Sequence, residues 1–376
     1  MKSFLSAAKL AKLALPLLCI SALSTSAWAQ TELKVTLAIP SDDAGMNGQG
    51  NEIELMTQAV IDDYNSSNPT LPAINLQIID SSTTDAKTLQ QEAADSIALL
   101  SCSSTTDCLT QGNIAKTLQI PLIGPMSGDT GMRDKANTYI FPVRPSNAEA
   151  LQEALQAISG MRVKNLGVLV QNNYYGKSMD AELSALTLPK GLTISAKESI
   201  AANSNWEALS RKLQSAGVTA VLFLSDDMVT SSNLVQFWKS KRKTSAAYTP
   251  TLVHLNHLAR PDYAEKINGY PAGALFITIV PSPWAGKRQV QRDYQQLAQS
   301  RGIYRANYES FEAFINASVL VHAIKGSKAT TPAQLMQYLR STPVNLGGMT
   351  VRQTGPKIGT GVLDQAVLGL DGAFRH

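Results

Sequence analysis

Leu33, Val35, Leu37 and Ile39 alternate with Lys34 and Thr36, the period-two pattern of a strand. The period then lengthens. Ile53, Met56, Val60 and Tyr64 recur at helical spacing, with Leu55 and Ala59 beside them, and predict a helix. Residues 74–79 read as the next strand, and Leu89 to Ala94 lie in a second helix. The apolar run 97–100 reads as a short buried strand. Ser103-Ser104-Thr105-Thr106 follows it, a cluster of good helix caps, and opens a helix over about 108–119. Residues 120–123 form one more short strand. Strands alternating with helices in this way predict a parallel α/β sheet.

The pattern then starts again. Strands are expected at 166–170, 192–196, 218–224, 251–255 and 274–280. Helices are expected after Gly176, at about 206–216 and at about 230–240. Three further helices follow, at about 288–301, 309–324 and 331–339. The tail, 347–374, carries strands and turns and no helix. The chain therefore divides into two α/β lobes with no Ser/Gly linker between them. Phe141-Pro142-Val143-Arg144-Pro145 and Val280-Pro281-Ser282-Pro283 are the candidate connections, because extended proline-rich segments make stiff hinges.

The first 29 residues stand apart. Lys2, Lys9 and Lys12 precede and flank an apolar run at 13–23, and small Ala27 and Ala29 close the segment. This is the layout of a secretory signal peptide cleaved after Ala29. The run is too short for a membrane span, which needs about 20 residues. Leu18 stands before Cys19 where a lipoprotein would need a small residue, so Cys19 is read as discarded. The rest of the chain is expected in the periplasm, with no stable membrane insertion.

Export changes two further readings. The formal charge of +4 includes the three leader lysines and no leader acid, which leaves +1 on the remainder. A near-neutral chain gives no electrostatic reason to expect nucleic-acid binding. Cys102 and Cys108 lie six apart and would meet an oxidising compartment, where they pair as a disulfide or remain free thiols. A bridge over so short a loop is worth only about 2 kcal/mol on the chain-entropy argument. No His is near enough in sequence to suggest a metal site.

Catalytic motifs are missing. The sequence contains no G-x-x-x-x-G-K-[ST], H-E-x-x-H or G-x-S-x-G string. Gly45, Gly48 and Gly50 lack the lysine of a phosphate loop and read as a turn. Ser240-Lys241-Arg242-Lys243 matches S-x-x-K by letters only, on a charged helix face. His254 and His257 have no evident third ligand. No enzyme activity, cofactor or metal is therefore expected. What stands out is small polar residues just after strands. They are Ser103 and Ser104, Met126-Ser127-Gly128, Tyr174-Tyr175-Gly176, Asp226-Asp227, and Asn256. Ligands of doubly wound folds bind outside the carboxyl ends of the strands. Helix capping accounts for such residues one at a time, but their presence in both lobes favours a ligand cleft. The hydroxyls and free N–H groups at Ser103-Ser104 would suit a carboxylate.

Six segments, in order, resemble periplasmic substrate-binding proteins of the branched-chain amino acid (Leu/Ile/Val-binding) ABC transporter type. They are Ile120-Pro121-Leu122-Ile123-Gly124-Pro125-Met126-Ser127-Gly128, Tyr139-Ile140-Phe141-Pro142-Val143-Arg144, Gln171-Asn172-Asn173-Tyr174-Tyr175-Gly176-Lys177, Val280-Pro281-Ser282-Pro283, Glu309-Ser310-Phe311-Glu312-Ala313-Phe314 and Leu346-Gly347-Gly348-Met349. The resemblance implies a type I two-lobed periplasmic-binding-protein fold: two doubly wound parallel-sheet lobes joined by three crossovers. It implies a signal peptide over 1–29 and a first lobe built from 30–143 and 280–345. The second lobe would be built from 144–279, with 346–376 as its hinge-proximal tail.

The resemblance also implies that Ser103 and Ser127 hold a ligand carboxylate, with the backbone around Met126, and that Tyr175 packs from the second lobe. The family's acid for the ligand amine falls near Asn256, a neutral residue, which leaves Asp226 or Asp227 to replace it. Gly128 stands where a polar residue is usual. The usual upstream partner of Cys102 is lacking, so Cys108 is the partner available. The expected function is a monomeric receptor that binds a small carboxylate-bearing solute and delivers it to an ABC permease. The alternative is a sensor whose closed form is read by a membrane-bound signalling protein. Fold alone does not separate the two.

Overall fold

The structure, a computed structural model, describes residues 32–40, 49–242, 248–270, 273–303, 306–355 and 357–376. The leader with its expected cleavage point, Gly45, Gly48 and Lys243 lie outside the described residues. The first sheet holds β1 (Glu32–Ile39), β2 (Ala73–Asp80), β3 (Ala98–Leu100), β4 (Leu122–Ile123) and β5 (Ile140–Phe141). Their order is β2-β1-β3-β4-β5, and every pair is parallel. The second sheet holds β6 (Asn165–Gln171), β7 (Thr193–Ile200), β8 (Ala220–Leu224), β9 (Thr251–Leu255), β10 (Ala274–Thr278), β13 (Asp364–Leu368) and β14 (Phe374–Arg375). Its order is β14-β13-β10-β9-β8-β6-β7. A short hairpin, β11 (Val344–Asn345) with β12 (Thr350–Val351), stands apart from both.

Helices cover these sheets. They are α1 (Gln49–Ser67), α2 (Ala86–Glu92), α3 (Thr105–Leu118), α4 (Asn147–Gly160), α5 (Tyr174–Ala185), α6 (Trp206–Ser215), α7 (Met228–Lys241), α8 (Pro261–Ile267), α9 (Gln289–Ser300), α10 (Tyr308–Ser327) and α11 (Pro332–Ser341). Every residue of β8 and of β10 is buried, which suits strands covered on both faces. α10 is buried along most of its length and packs on α1, β3 and β4, so residues far along the chain return to the first sheet. The fold class is thus the type I periplasmic-binding architecture expected from the sequence, with one addition. β13 runs antiparallel to β10, and β14 antiparallel to β13, so the second sheet is not wholly parallel.

Several elements escaped the sequence reading. α4 was not anticipated, although Ser146 and Glu149 form a capping box ahead of it and Ala150, Leu151, Ala154, Leu155 and Ile158 bury one face. α8, β5 and the β11–β12 hairpin were also missed; the strands are only two residues long, too short to show a period. α5 begins at Tyr174, two residues ahead of Gly176, because Asn173 caps it by accepting from the Gly176 N–H.

The chain crosses between the sheets three times, after β5, after β10 and before β13. The first crossing is tied down by a buried ion pair and by backbone bonds to the segment ahead of β13. Arg144 is 4% exposed and meets Glu312 of α10 face to face, with Nε to Oε1 at 2.7 Å and Nη2 to Oε2 at 2.6 Å. The Thr360 N–H donates to the Val143 carbonyl at 2.8 Å, and Gln353 donates to the Pro142 carbonyl at 2.9 Å. Gly359, with φ 91°, lets these strands touch, since a Cβ there would lie 2.6 Å from the Arg144 carbonyl oxygen. Removing one charge from a buried pair leaves the other uncompensated. Glu312→Gln is expected to lower stability by about 3 kcal/mol, read from urea unfolding. A loss within experimental error would show that the pair does not hold the crossing.

Candidate functional site

The site begins at the turn from β3 into α3. Ser101 lies in the left-handed region with φ 56°, and Asn316 of α10 donates to its hydroxyl at 3.1 Å. Cys102 and Cys108 follow, both fully buried and joined as a disulfide, with their Cα atoms 5.2 Å apart. Ser104 caps α3 by accepting from the Asp107 N–H at 3.1 Å. The Ser103 N–H donates to Asp107 at 3.2 Å, and its Oγ is buried beside the same carboxylate without a well-aligned hydrogen bond. A buried hydroxyl so incompletely bonded is uncommon in folded proteins and leaves capacity for a ligand group.

Residues from both sheets meet that hydroxyl around one cavity of about 80 Å³. From the first sheet and its helices come Ile53, Ser103, Ser104, Thr105, Met126 and Glu309. From the second come Tyr175 at the start of α5, Asp226 after β8, and Asn256 and His257 after β9. Arg144 enters from the first crossing. The space is small beside the roughly 300–1,000 Å³ of drug-sized sites and suits a small solute.

Six of the eight residues expected from the sequence line this cavity: Ser103, Ser104, Met126, Tyr175, Asp226 and Asn256. Two do not. Ser127 stands behind Thr105, its hydroxyl 3.0 Å from the Thr105 hydroxyl, so Thr105 occupies the wall in its place. Asp227 is turned to α7, where it accepts from the Val229 and Thr230 N–H groups and from the Thr230 hydroxyl. For Asp227, capping is the role the structure shows. His254 is fully buried between Phe223 and Phe276, and no cluster of three metal-ligating side chains occurs among the described residues.

Sequence reasoning missed Thr105, Arg144 and Glu309, and it read His257 as polar lining at a strand end beside Asn256. Arg144 and Glu309 both lie in segments that carry the family resemblance, and that was their only signal.

The charges in the cavity are mostly spent. Arg144 is locked to Glu312, and Glu309 accepts from Arg260 Nη1 at 2.7 Å. Burial raises Glu309 to about 7, with Arg260 pulling the other way. His257 stands edge-on to Tyr175, ring centres 4.9 Å apart. Burial, and next the Arg144 charge, push its pKa well down, so it is a neutral imidazole. Asp226 differs. Asn173 donates to it at 2.8 Å, and among the described residues no cation forms an ion pair with it. Burial raises its pKa, which a cation placed beside it would reverse. The cavity therefore offers unfilled hydroxyl capacity on one side and an uncompensated carboxylate on the other.

Two doubly wound units that close a small polar cavity between the carboxyl ends of their strands define a cleft-type solute binder. The sequence matches the family model described as periplasmic binding protein over residues 80–367, and the chain belongs to that family. No curated protein matches it. Among solved structures, a substrate-binding periplasmic protein from Ralstonia solanacearum is 20% identical, with TM-score 0.74, covering 91% of this chain and 99% of that one. A branched-chain amino acid ABC transporter structure from Thermus thermophilus with bound valine is 17% identical, with TM-score 0.73 and coverage of 92% and 95%. A fatty acid ABC transporter substrate-binding protein from Thermomonospora curvata is 14% identical, with TM-score 0.74 and coverage of 91% and 89%.

A second contact joins the two units along α5. The Ser178 hydroxyl donates to Asp129, which lies after β4 and caps the turn at Thr130–Arg133. One helical turn on, Glu182 is 9% exposed, near the Thr130 backbone and the Asn147 side chain. Burial raises Glu182 to about 7 and the Asp129 charge adds to this, while hydrogen bonds from the Thr130 backbone and the Asn147 side chain, and then the Arg133 charge, oppose it. A folded pKa above the unfolded value makes the neutral form stabilising below about pH 4.5, a contribution lost as the pH rises through 7. Glu182→Gln is expected to flatten part of the fall in urea midpoint between pH 5 and 8, the part carried by Glu309 remaining. Identical pH profiles for the two proteins would show that Glu182 is not held neutral.

Proposed function

We propose that the chain is a non-enzymatic solute receptor, exported to the periplasm with its leader removed after Ala29, that presents a bound small solute to an ABC permease. The solute carries a carboxylate and a charged amine. The carboxylate is held by the Ser103 and Thr105 hydroxyls beside Met126 and the first turn of α3, and the amine by Asp226. One observation carries this reading: the buried, incompletely bonded Ser103 hydroxyl and the Asp226 carboxylate, which no cation among the described residues pairs, come from different sheets and line the same cavity. A buried ammonium is costly without a charged partner, and Asp226 supplies one. Tyr175 and the neutral His257 pack the ligand's remaining surface.

The same reading divides the chain at 143/144, 279/280 and 345/346. The placement of β1–β5 in one sheet and of β6–β10 with β13–β14 in the other supports that division. Ligand binding favours the form in which both lobes touch the solute, and that closed form is what the permease reads.

Calorimetric titration with L-valine, L-leucine and their deaminated analogues tests the assignment. Ser103→Ala is expected to weaken amino-acid binding by about 1–3 kcal/mol. Asp226→Asn is expected to weaken it by about 2 kcal/mol or more and to leave the deaminated analogues nearly unchanged. Equal binding of both ligand classes to wild type, unaltered by Asp226→Asn, would remove the amine from the proposal.

A further inference from the structure

The disulfide closes a ring in which every residue between the two cysteines belongs to the turn that lines the cavity or to the start of α3. Ser103, Ser104 and Thr105 all lie inside it, and all three line the cavity. Two features of this turn oppose its own conformation. Ser101, one residue ahead of the ring, is a non-glycine residue in the left-handed region. The Ser103 hydroxyl is buried beside the Asp107 carboxylate without a well-aligned hydrogen bond. Both cost free energy in the ligand-free protein, and such local strain persists only where the surroundings over-determine it.

The surroundings are specific. The Met126 N–H donates to the Cys102 carbonyl at 3.1 Å, and the Cys108 N–H donates to the Ser104 carbonyl at 2.8 Å. Asn316 spans the Ser101 hydroxyl and the Gly124 carbonyl, at 3.1 and 2.8 Å. Gly124 and Met126 belong to the neighbouring loop after β4. These bonds fix the two ends of the turn, and the disulfide ties its β3 end to the first turns of α3.

We propose that Cys102 and Cys108 are positioning residues for the ligand site: their bond holds the Ser103 and Thr105 hydroxyls at the cavity before the ligand arrives. Its contribution to the fold as a whole is secondary, because so short a ring restrains little of the unfolded chain. The inference rests on the solute-receptor reading above and goes beyond it in making affinity depend on the state of this bond. Pre-organisation of this kind raises affinity by lowering the ordering cost of binding. Reduction of the bond to two thiols would leave folded protein with a weakened carboxylate site.

Cys102→Ala/Cys108→Ala is compared with wild type in two measurements. In the first, L-leucine is titrated calorimetrically into both proteins, with and without Ser103→Ala. The expected result is about a tenfold rise in Kd for the clamp-free protein, at unchanged stoichiometry. Ser103→Ala should then add about twofold at most on that background, against its full effect on wild type. Unchanged affinity, or a full additive effect of Ser103→Ala, would overturn the proposal.

In the second, amide hydrogen exchange is followed without ligand. Residues 101–107 are expected to exchange about tenfold faster in the clamp-free protein while β1 and β6 keep their protection. Unchanged exchange at 101–107 would also overturn it. If L-leucine fails to bind wild type, the amino-acid assignment falls, and the exchange measurement still decides the role of the disulfide. Should the alanine variant fail to fold, the same exchange experiment on wild-type protein reduced with a phosphine gives the answer.

Discussion

A cavity walled by two sheets exists only if the chain segments between those sheets hold a fixed path. The bidentate Arg144–Glu312 pair sets that path for the first crossing. Two charges taken out of water gain from each other only when geometry satisfies both, and here the guanidinium fork and the carboxylate face each other directly. The same pair has an electrostatic consequence. It neutralises Arg144 at the cavity wall, so the uncompensated charge left in the site is the carboxylate of Asp226. Were Arg144 unpaired, the cavity would favour an anion outright.

The site combines rigid and unsatisfied parts. Backbone ties, helix caps and the disulfide fix where Ser103 and Thr105 stand, while the Ser103 hydroxyl keeps its bonding capacity open. Asp226 is oriented by Asn173, the residue that also caps α5 and places Tyr175. One asparagine therefore sets both the acid and the aromatic wall of the second lobe. The division of labour between Asp226 and its neighbour Asp227 follows from backbone geometry. Successive side chains point apart, so one enters the cavity and the other satisfies the open N–H groups of α7.

Much of this was legible in the sequence, for physical reasons. Strands buried on both faces announce themselves as apolar runs, and β8 and β9 fell within or on the expected 218–224 and 251–255. Polar residues after strands flagged six of the cavity residues. The failures have causes too. Ser127 and Thr105 carry the same hydroxyl, and only packing decides which one faces the cavity. Asp226 and Asp227 differ only in direction, which a period-free turn does not encode. Arg144 and Glu309 come to the cavity from a crossing and a remote helix, and no spacing along the chain links them.

The interleaving of the two units governs the order in which they can form. The first sheet is covered by α10, whose residues follow β10 of the second sheet, and the second sheet is extended by β13, where Thr278 pairs with Asp364. The first unit lacks its covering helix until residue 327 is present, and the second lacks β13 until residue 368 is. Long loops must close before these distant contacts reward the closure, which makes late assembly slow. A chain built this way stays incompletely folded while its N-terminal portion emerges.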